Sequence, residues 1–199
     1  MPKIVDHEVY RISILTRCLG LFAKRGYAMV TMREISKELR VSTGSLYHYF
    51  PTKEVLFEEM AKWVVREDAK QLVDIRDRNR EKSVSEKLEL LFEFVREREG
   101  HFRDLILLAC DLYRREDSEP AKAILKDCSS IFRSAIESHL DLRNPEMENL
   151  FFSVLIGTIF QRMMDQGTVD FEKTFEIVRV FAPFLTGGLF MEFKKIGNE

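Results

Sequence analysis

The chain has 199 residues, of which 45% are hydrophobic and 32% are charged, with a formal net charge of -2 and few Gly (9) or Pro (5). Its longest apolar stretch, residues 150–160, is much shorter than the roughly 20 residues that span a bilayer, and no apolar signal core opens the chain. We therefore expect a cytoplasmic protein without membrane contact. Long amphipathic stretches with few helix-breaking residues predict an all-α fold.

The charges are unevenly distributed along the chain. Residues 1–53 hold nine Lys/Arg and four Asp/Glu, which gives a net charge of +5, whereas the remainder holds 22 and 29, which gives -7. A basic N-terminal segment on an acidic body is typical of a protein that touches a polyanion with one end only.

The first elements read as three short helices. A helix over residues 6–24 ends before Gly26, which supplies a positive φ. Thr31 and Glu34 form a capping box that begins the second helix, and residues 40–42 form a tight turn. Ser42 or Thr43 caps the third helix, and Pro51 ends it because a residue before proline is disfavoured in a helix. The pattern predicts a helix-turn-helix.

The rest of the chain reads as further helices with short connections. Gly100 and Gly167 are predicted to end two of them, and Pro120 lies in a first turn. The predicted helices are 53–76, 84–99, 101–116, 119–142, 145–166 and 171–195.

The third helix carries the residue types that read DNA. A recognition helix contacts base edges in the major groove with residues near its N-terminus. Gly44 lets the backbone approach DNA closely, while Thr43, Ser45 and His48 offer polar atoms on the same side.

Other residues of the segment suit the DNA backbone. The hydroxyl groups of Tyr47 and Tyr49 suit phosphate oxygens, and Lys53 could hold a phosphate at the start of the fourth helix. Arg33, in the first turn of the second helix, could reach a guanine edge or a phosphate. The segment thus predicts binding to double-stranded DNA.

From about Leu21 to Phe57 the sequence resembles the TetR family of bacterial transcriptional regulators. The residues that carry the resemblance are Phe22, Gly26-Tyr27, Thr31, Ile35, Leu39, Val41, Ser42, Gly44, Leu46-Tyr47-His48-Tyr49-Phe50, Lys53 and Leu56.

The resemblance implies a homodimer of subunits with about nine helices, in which residues 1–53 bind DNA and residues 54–199 bind an effector and dimerise. By position, Arg33, Thr43, Gly44, Ser45 and His48 fall where family members contact bases or adjoining backbone. Thr31, Tyr47, Tyr49 and Lys53 fall where phosphate contacts are usual. A two-fold dimer also implies a roughly palindromic operator.

Two C-terminal helices are apolar on all sides, which predicts that each is buried on all sides. We expect them to pair with their symmetry mates in a four-helix interface. The predicted interface residues are Phe151, Val154, Leu155, Ile159, Val178, Ala182 and Leu185.

An apolar cavity is the second feature predicted for the C-terminal body, because 13 of the 16 Phe lie at or beyond Phe92. Ordinary core packing is the alternative for each of them. The predicted lining residues of a small hydrophobic effector site are Phe92, Phe102, Ile106, Ala109, Cys110, Tyr113, Cys128, Phe132, Ile136, Phe152, Ile156 and Phe160.

Enzyme and metal patterns are missing from the sequence. The four His have no metal-ligand spacing, the three Cys form no CxxC pair, and no P-loop, GxSxG or GxGxxG occurs. We expect no catalysis, no cofactor and no metal. The favoured function is a ligand-responsive repressor that releases its operator when the effector binds. The alternatives are a helical scaffold protein that no longer reads DNA, and a thiol redox sensor through Cys110 and Cys128.

Overall fold

The computed structural model describes residues 7–114, 118–142 and 144–186, with the side chains of Pro145 and residues 181–186 left aside. All regular elements within these ranges are α-helices, which confirms the predicted all-α class. They are α1 (His7–Arg25), α2 (Met32–Leu39), α3 (Thr43–Tyr49), α4 (Lys53–Arg78), α5 (Val84–Glu97), α6 (Glu99–Tyr113), α7 (Glu119–Leu140), α8 (Pro145–Met164) and α9 (Phe171–Thr186).

One predicted helix boundary is wrong. Gly100 lies inside α6 instead of ending the preceding helix, and the break falls at Arg98. The guanidinium group of Arg98 donates hydrogen bonds to the carboxylate of Asp68 and the side-chain oxygen of Gln71. A tertiary contact, and not the conformational freedom of a glycine, therefore accompanies the break. The predicted ends at residues 116 and 195 lie outside the described residues.

The chain divides into two compact units by its internal contacts, and the boundaries fall inside α4, α6 and α7. The described residues of the first unit fall within 1–67 and 104–129, and those of the second fall within 68–103 and 130–199. The predicted functional boundary after residue 53 concerns which residues bind DNA, and it stays a prediction.

The core of the first unit joins α1 to α3 with the beginning of α4. Phe22, Leu46 and Phe50 are fully buried in it. Phe57 meets the rings of Phe22 and Tyr27 edge-on, with centroids 5.0 and 4.8 Å apart. Buried residues of α6 and α7, including Leu108, Leu112 and Ile124, belong to the same cluster. The helix-turn-helix is therefore packed on a core that extends beyond the first three helices.

The second unit places α5 against α9 and α8 against α9. The ring of Phe92 lies 5.8 Å from that of Phe171 and 5.1 Å from that of Phe175, centroid to centroid. Phe151 and Leu140 are buried in the same unit. Within the described part of the chain, no helix is long and apolar enough to cross a membrane.

Candidate nucleic-acid interface

The start of α2 has the geometry that the capping box predicts. The hydroxyl oxygen of Thr31 accepts from the N–H of Glu34 at 3.2 Å, and the hydroxyl and N–H of Thr31 both donate to the Glu34 carboxylate at 2.8 Å. These bonds, with Arg25 and Lys53 nearby, hold the pKa of Glu34 below its usual value of 4.5. Because the hydroxyl proton of Thr31 is already used, this side chain offers no free donor for a phosphate.

The turn between α2 and α3 is fixed from both sides. Arg40 ends α2 in the left-handed region, with φ 55°, and its N–H donates back to α2 carbonyls. The carbonyl of Leu39 accepts a hydrogen bond from the Arg17 guanidinium at 2.9 Å. The N–H of Val41 donates to the carbonyl of Ser36 at 3.0 Å. The recognition helix is thus held in a defined position relative to α2.

A buried serine was not predicted to belong to the site. The hydroxyl of Ser36 donates to the carbonyl of Val41 at 2.7 Å and lies 3.0 Å from the hydroxyl oxygen of Thr43. Its position on the inward face of α2, beside Ile35 and one turn after Met32, is the one sequence signal that could have marked it.

The N-terminal turn of α3 leaves its outer side open. Ser42 is the cap, because its hydroxyl oxygen accepts from the N–H of Ser45 at 3.0 Å. A Cβ added at Gly44 would meet no atom within 4 Å, so the backbone there is unobstructed. Thr43 and His48 are exposed, Tyr47 is 47% exposed and Ser45 is half-buried. The structure therefore places the predicted base-reading residues together on one accessible face.

Tyr49 and Lys53 each form a hydrogen bond with another residue of the protein. The hydroxyl of Tyr49 forms a 2.7 Å hydrogen bond with Nδ1 of His7. The ammonium group of Lys53 donates to the carbonyl of Tyr27 at 2.9 Å and lies 4.2 Å from the centre of its ring. An ammonium group has three donors, so Lys53 keeps two for a phosphate. Arg33 is exposed and bonds no other described residue.

Tyr27 connects the loop after α1 to two other elements of the first unit. Its hydroxyl donates to Glu54 at 2.8 Å, and this bond is the largest cause of a lowered pKa at Glu54. Its backbone N–H donates to the carboxylate of Asp111 in α6. The loop that precedes the reading helices is therefore held by side chains from both α4 and α6.

The residues predicted to line an effector cavity are divided between the two units. Phe102, Phe132 and Phe152 form a row of neighbouring rings in the second unit, at centroid distances of 6.1 and 6.2 Å. Phe92 instead borders a cleft of about 70 Å³ with Glu89, Glu93, Arg96, Phe171, Glu172 and Phe175. Ile136 is buried, and Ile156 and Phe160 are partly exposed on α8.

The other predicted lining residues lie in the first unit. Ala109 and Ile106 are half-buried, and Cys110 and Tyr113 are exposed, the latter by 70%. Tyr113 was predicted to line the cavity, but its side chain faces solvent, and Leu108 and Leu112 form the buried side of α6.

The predicted interface residues of α8 point inward. Phe151, Leu155 and Ile159 are buried within the subunit, and Val154 and Val178 are half-buried. These three buried side chains have no surface to offer to a second subunit, which corrects the predicted face of α8. Ala182 and Leu185 lie outside the residues whose side chains are described.

Exposed apolar and small residues also lie on α8 and α9. They are Leu150, Ser153, Ile156, Gly157, Phe160 and Met164 on α8, and Ile177 and Val180 on α9, where Glu172, Lys173, Glu176 and Arg179 are exposed as well. The α8 members recur every three to four residues and so share one face of the helix.

Two of the three thiols, those of Cys18 and Cys128, have unfavourable surroundings for redox chemistry. Burial raises the pKa of Cys18 to about 12 and that of Cys128 to about 11, and the carboxylate of Asp127 adds to the second shift. Both therefore stay protonated near neutral pH, and a thiol is a poor nucleophile. Cys110 is exposed.

Comparison with known proteins agrees with this geometry. Residues 14–60 match the model of the bacterial regulatory proteins of the tetR family. The chain is 27% identical over 188 residues to the HTH-type transcriptional regulator PksA of Bacillus subtilis, which covers 89% of this chain and 90% of that protein. It is 28% identical over 131 residues to the uncharacterized HTH-type transcriptional regulator YuxN of the same organism, which covers 64% of this chain and 42% of that protein.

The fold also matches solved structures. The transcriptional regulator FadR from Bacillus subtilis, in complex with stearoyl-CoA, superposes with a TM-score of 0.64 at 17% identity, over 89% of this chain and 98% of that one. At this identity the match shows a common fold.

Proposed function

We propose that the chain is a homodimeric repressor of the TetR family of bacterial transcriptional regulators and that it binds a roughly palindromic operator. The observation that carries the proposal is the open face of α3, where Gly44 is unobstructed and Thr43, Tyr47 and His48 are exposed. The positive charges of Arg33 and Lys53, with the two unused N–H donors of Lys53, favour contact with the phosphates of the DNA backbone.

The dimer in this proposal pairs the exposed apolar face of α8 and α9 with its symmetry mate. Ser153 and Gly157 lie one turn apart on that face, and a Cβ added at Gly157 would meet nothing within 4 Å of its own subunit. Small residues permit two helices to approach closely, and water would otherwise cover Ile156 and Phe160. The two recognition helices would then lie in successive major grooves, about 34–36 Å apart.

The effector in this proposal is a small hydrophobic molecule. The ring row of Phe102, Phe132 and Phe152 supports it, because an apolar ligand can replace ring-to-ring contacts. The stearoyl-CoA held by the FadR neighbour has a chain of the same apolar character. Binding would favour a dimer geometry that no longer matches the operator, and so would lower the affinity for DNA.

The test of DNA reading is binding of the purified protein to duplexes from the region upstream of its own coding sequence, measured at several salt concentrations. A DNA reader loses affinity steeply as salt rises, because phosphate contacts release counterions. Gly44→Leu should abolish binding without lowering the unfolding temperature, since a Cβ at this position meets no atom within 4 Å and leucine is a better helix former than glycine. Gly20→Leu is the matched control, because Gly20 is also helical and unobstructed but lies in α1.

Two outcomes would contradict the proposal. One is a protein that binds no duplex at low salt, as the scaffold alternative requires. The other is binding that survives Gly44→Leu unchanged. Native mass spectrometry of the purified protein, followed by operator release with the molecule found, tests the effector.

A further inference from the structure

The hydroxyl groups of Ser36 and Thr43 form a directed chain of hydrogen bonds that ends at a backbone carbonyl. Ser36 Oγ lies 2.7 Å from the carbonyl oxygen of Val41 and 3.0 Å from Thr43 Oγ1. A carbonyl oxygen can only accept, so the single proton of the Ser36 hydroxyl points to Val41. The 3.0 Å contact then requires the Thr43 hydroxyl to donate to Ser36.

This arrangement leaves Thr43 without a free proton. Its hydroxyl oxygen retains acceptor capacity, and the chain of bonds makes it a stronger acceptor, because each donated bond polarises the next. Ser36 is only 7% exposed, so water has little access to replace Thr43 as its partner. Thr43 itself is exposed at the first position of α3. Its β-branched side chain has few rotamers, which helps to keep the oxygen directed.

On the proposed function as a basis, we infer that Thr43 reads an exocyclic amino group of a base, the N6 amino group of adenine or the N4 amino group of cytosine. Phosphate oxygens, guanine N7 and O6, and thymine O4 are all acceptors, and they need a proton that Thr43 has already given to Ser36. Ser36 is thereby a positioning residue for specificity, although it is buried and does not touch DNA.

Thr43 differs in this respect from Ser42, the residue that caps α3. The hydroxyl of Ser42 also accepts a bond, from the N–H of Ser45, but its own proton donates to no other described residue. Ser42 can therefore still donate to a phosphate. Thr43 differs because its proton is committed to a second side chain.

The test begins with selection of duplexes from a random pool by the wild-type protein and by Thr43→Val, which keeps the shape and removes the hydroxyl. The base that Thr43 contacts is the position at which the wild-type protein shows a preference and Thr43→Val shows none. We expect adenine or cytosine there. Replacing that base with purine or 2-pyrimidinone, which lack the amino group, should weaken wild-type binding by about 5-fold or more. Thr43→Val should bind both duplexes equally.

Two further measurements make the test specific. A methylphosphonate at the phosphates flanking this base should not reduce the difference between wild type and Thr43→Val. Ser36→Ala should free the Thr43 proton and let the protein accept guanine or thymine at the same position. Unfolding temperatures check that Ser36→Ala folds, and the base analogues with Thr43→Val decide the question if it does not.

The outcomes distinguish this inference from the function it rests on. If no sequence is enriched, the proposed function fails, and the inference fails with it. If duplexes are enriched but removal of the amino group leaves wild-type affinity unchanged, the inference alone is overturned. A methylphosphonate that abolishes the contribution of Thr43 would also overturn it, because it would show that the hydroxyl donates to phosphate.

Discussion

The ammonium group of Lys53 holds Tyr27 in two ways, by a 2.9 Å hydrogen bond to its carbonyl and by lying 4.2 Å from the centre of its ring. Tyr27 follows α1 and Lys53 begins α4, so the pair joins the two ends of the helix-turn-helix segment. A residue that was predicted for phosphate contact alone thus also has a structural role.

Replacing Lys53 by Ala should therefore change two quantities. Stability should fall by about 1–2 kcal/mol, from loss of the cation–π contact and the hydrogen bond. Affinity should fall alike on all duplexes, and the salt dependence should decrease by about one phosphate contact. Urea unfolding and binding at several salt concentrations measure them. Lys24→Ala, at an exposed lysine of α1, is the control. If the salt dependence of Lys53→Ala equals that of the wild type, Lys53 contacts no phosphate and its role is structural only.

Arg33 is predicted to affect base preference, because it is exposed in the first turn of α2 and bonds no other described residue. Arg33→Ala should reduce discrimination at one base position by about 1–3 kcal/mol. It should leave the free energy of unfolding within about 0.5 kcal/mol of wild type. Competition between a selected duplex and its single-base variants measures the discrimination. The exposed Lys37 supplies the control, since Lys37→Ala should preserve the discrimination. Equal losses on every duplex for Arg33→Ala would assign it to phosphate.

The oligomeric state should depend on Gly157. A Cβ at this position meets no atom of its own subunit within 4 Å, whereas a leucine side chain would separate two α8 helices that approach closely. Gly157→Leu should therefore be a folded monomer by sedimentation at micromolar concentration, whereas wild type and Gly20→Leu should be dimers. A monomeric wild type, or a dimeric Gly157→Leu, would contradict the proposed interface.

The sequence correctly predicted the features of the fold that depend on residues close together in the chain. Thr31 and Glu34 formed the expected capping box, and Gly26 has the positive φ of 78° that a helix stop requires. The contacts of Lys53 with Tyr27 and of Arg98 with Asp68 join residues 26 and 30 positions apart. Hydrophobic periodicity contains no information on such pairs.

The side of α8 that packs within the subunit could not be predicted for a different reason. Its sequence is apolar on two sides, so periodicity cannot decide which side packs within the subunit. The structure turns Phe151, Leu155 and Ile159 inward and leaves Ile156 and Phe160 outside. The same ambiguity affects the cavity, because a buried Phe has the same pattern whether it fills a core or lines a pocket.

The stability of the second unit should depend on Arg98, because Arg98 binds the buried carboxylate of Asp68. Asp68 is 1% exposed and is bound by the Arg98 guanidinium and, at 2.8 Å, by Nε2 of His101. Arg98→Ala should cost about 3–5 kcal/mol of stability, because it leaves a buried charge poorly compensated. Arg96→Ala is the matched control, since its partners Glu93 and Glu172 are exposed and such pairs contribute about 0–1 kcal/mol. Similar losses in both variants by urea unfolding would disprove this reasoning.

Acid should destabilise the protein through His139. The ring is fully buried, with Nε2 2.8 Å from the carbonyl of Lys87 and Nδ1 3.3 Å from that of Leu72. Burial lowers the pKa of His139 below its ordinary value of 6.5, although both carbonyls favour the protonated ring.

Because the folded pKa of His139 is the lower one, the unfolded chain binds the proton first. Its effect on stability is absent above pH 6.5, grows as the pH falls from 6.5 to the folded pKa, and is constant below that. The slope is at most about 1.4 kcal/mol per pH unit. Urea unfolding at pH 7.5 and 5.5 (about one unit either side of the ordinary pKa) should show a smaller loss for His139→Gln than for wild type. His48→Gln, at an exposed ring, should keep the wild-type loss. If His139→Gln loses as much stability as wild type, another group causes the acid sensitivity.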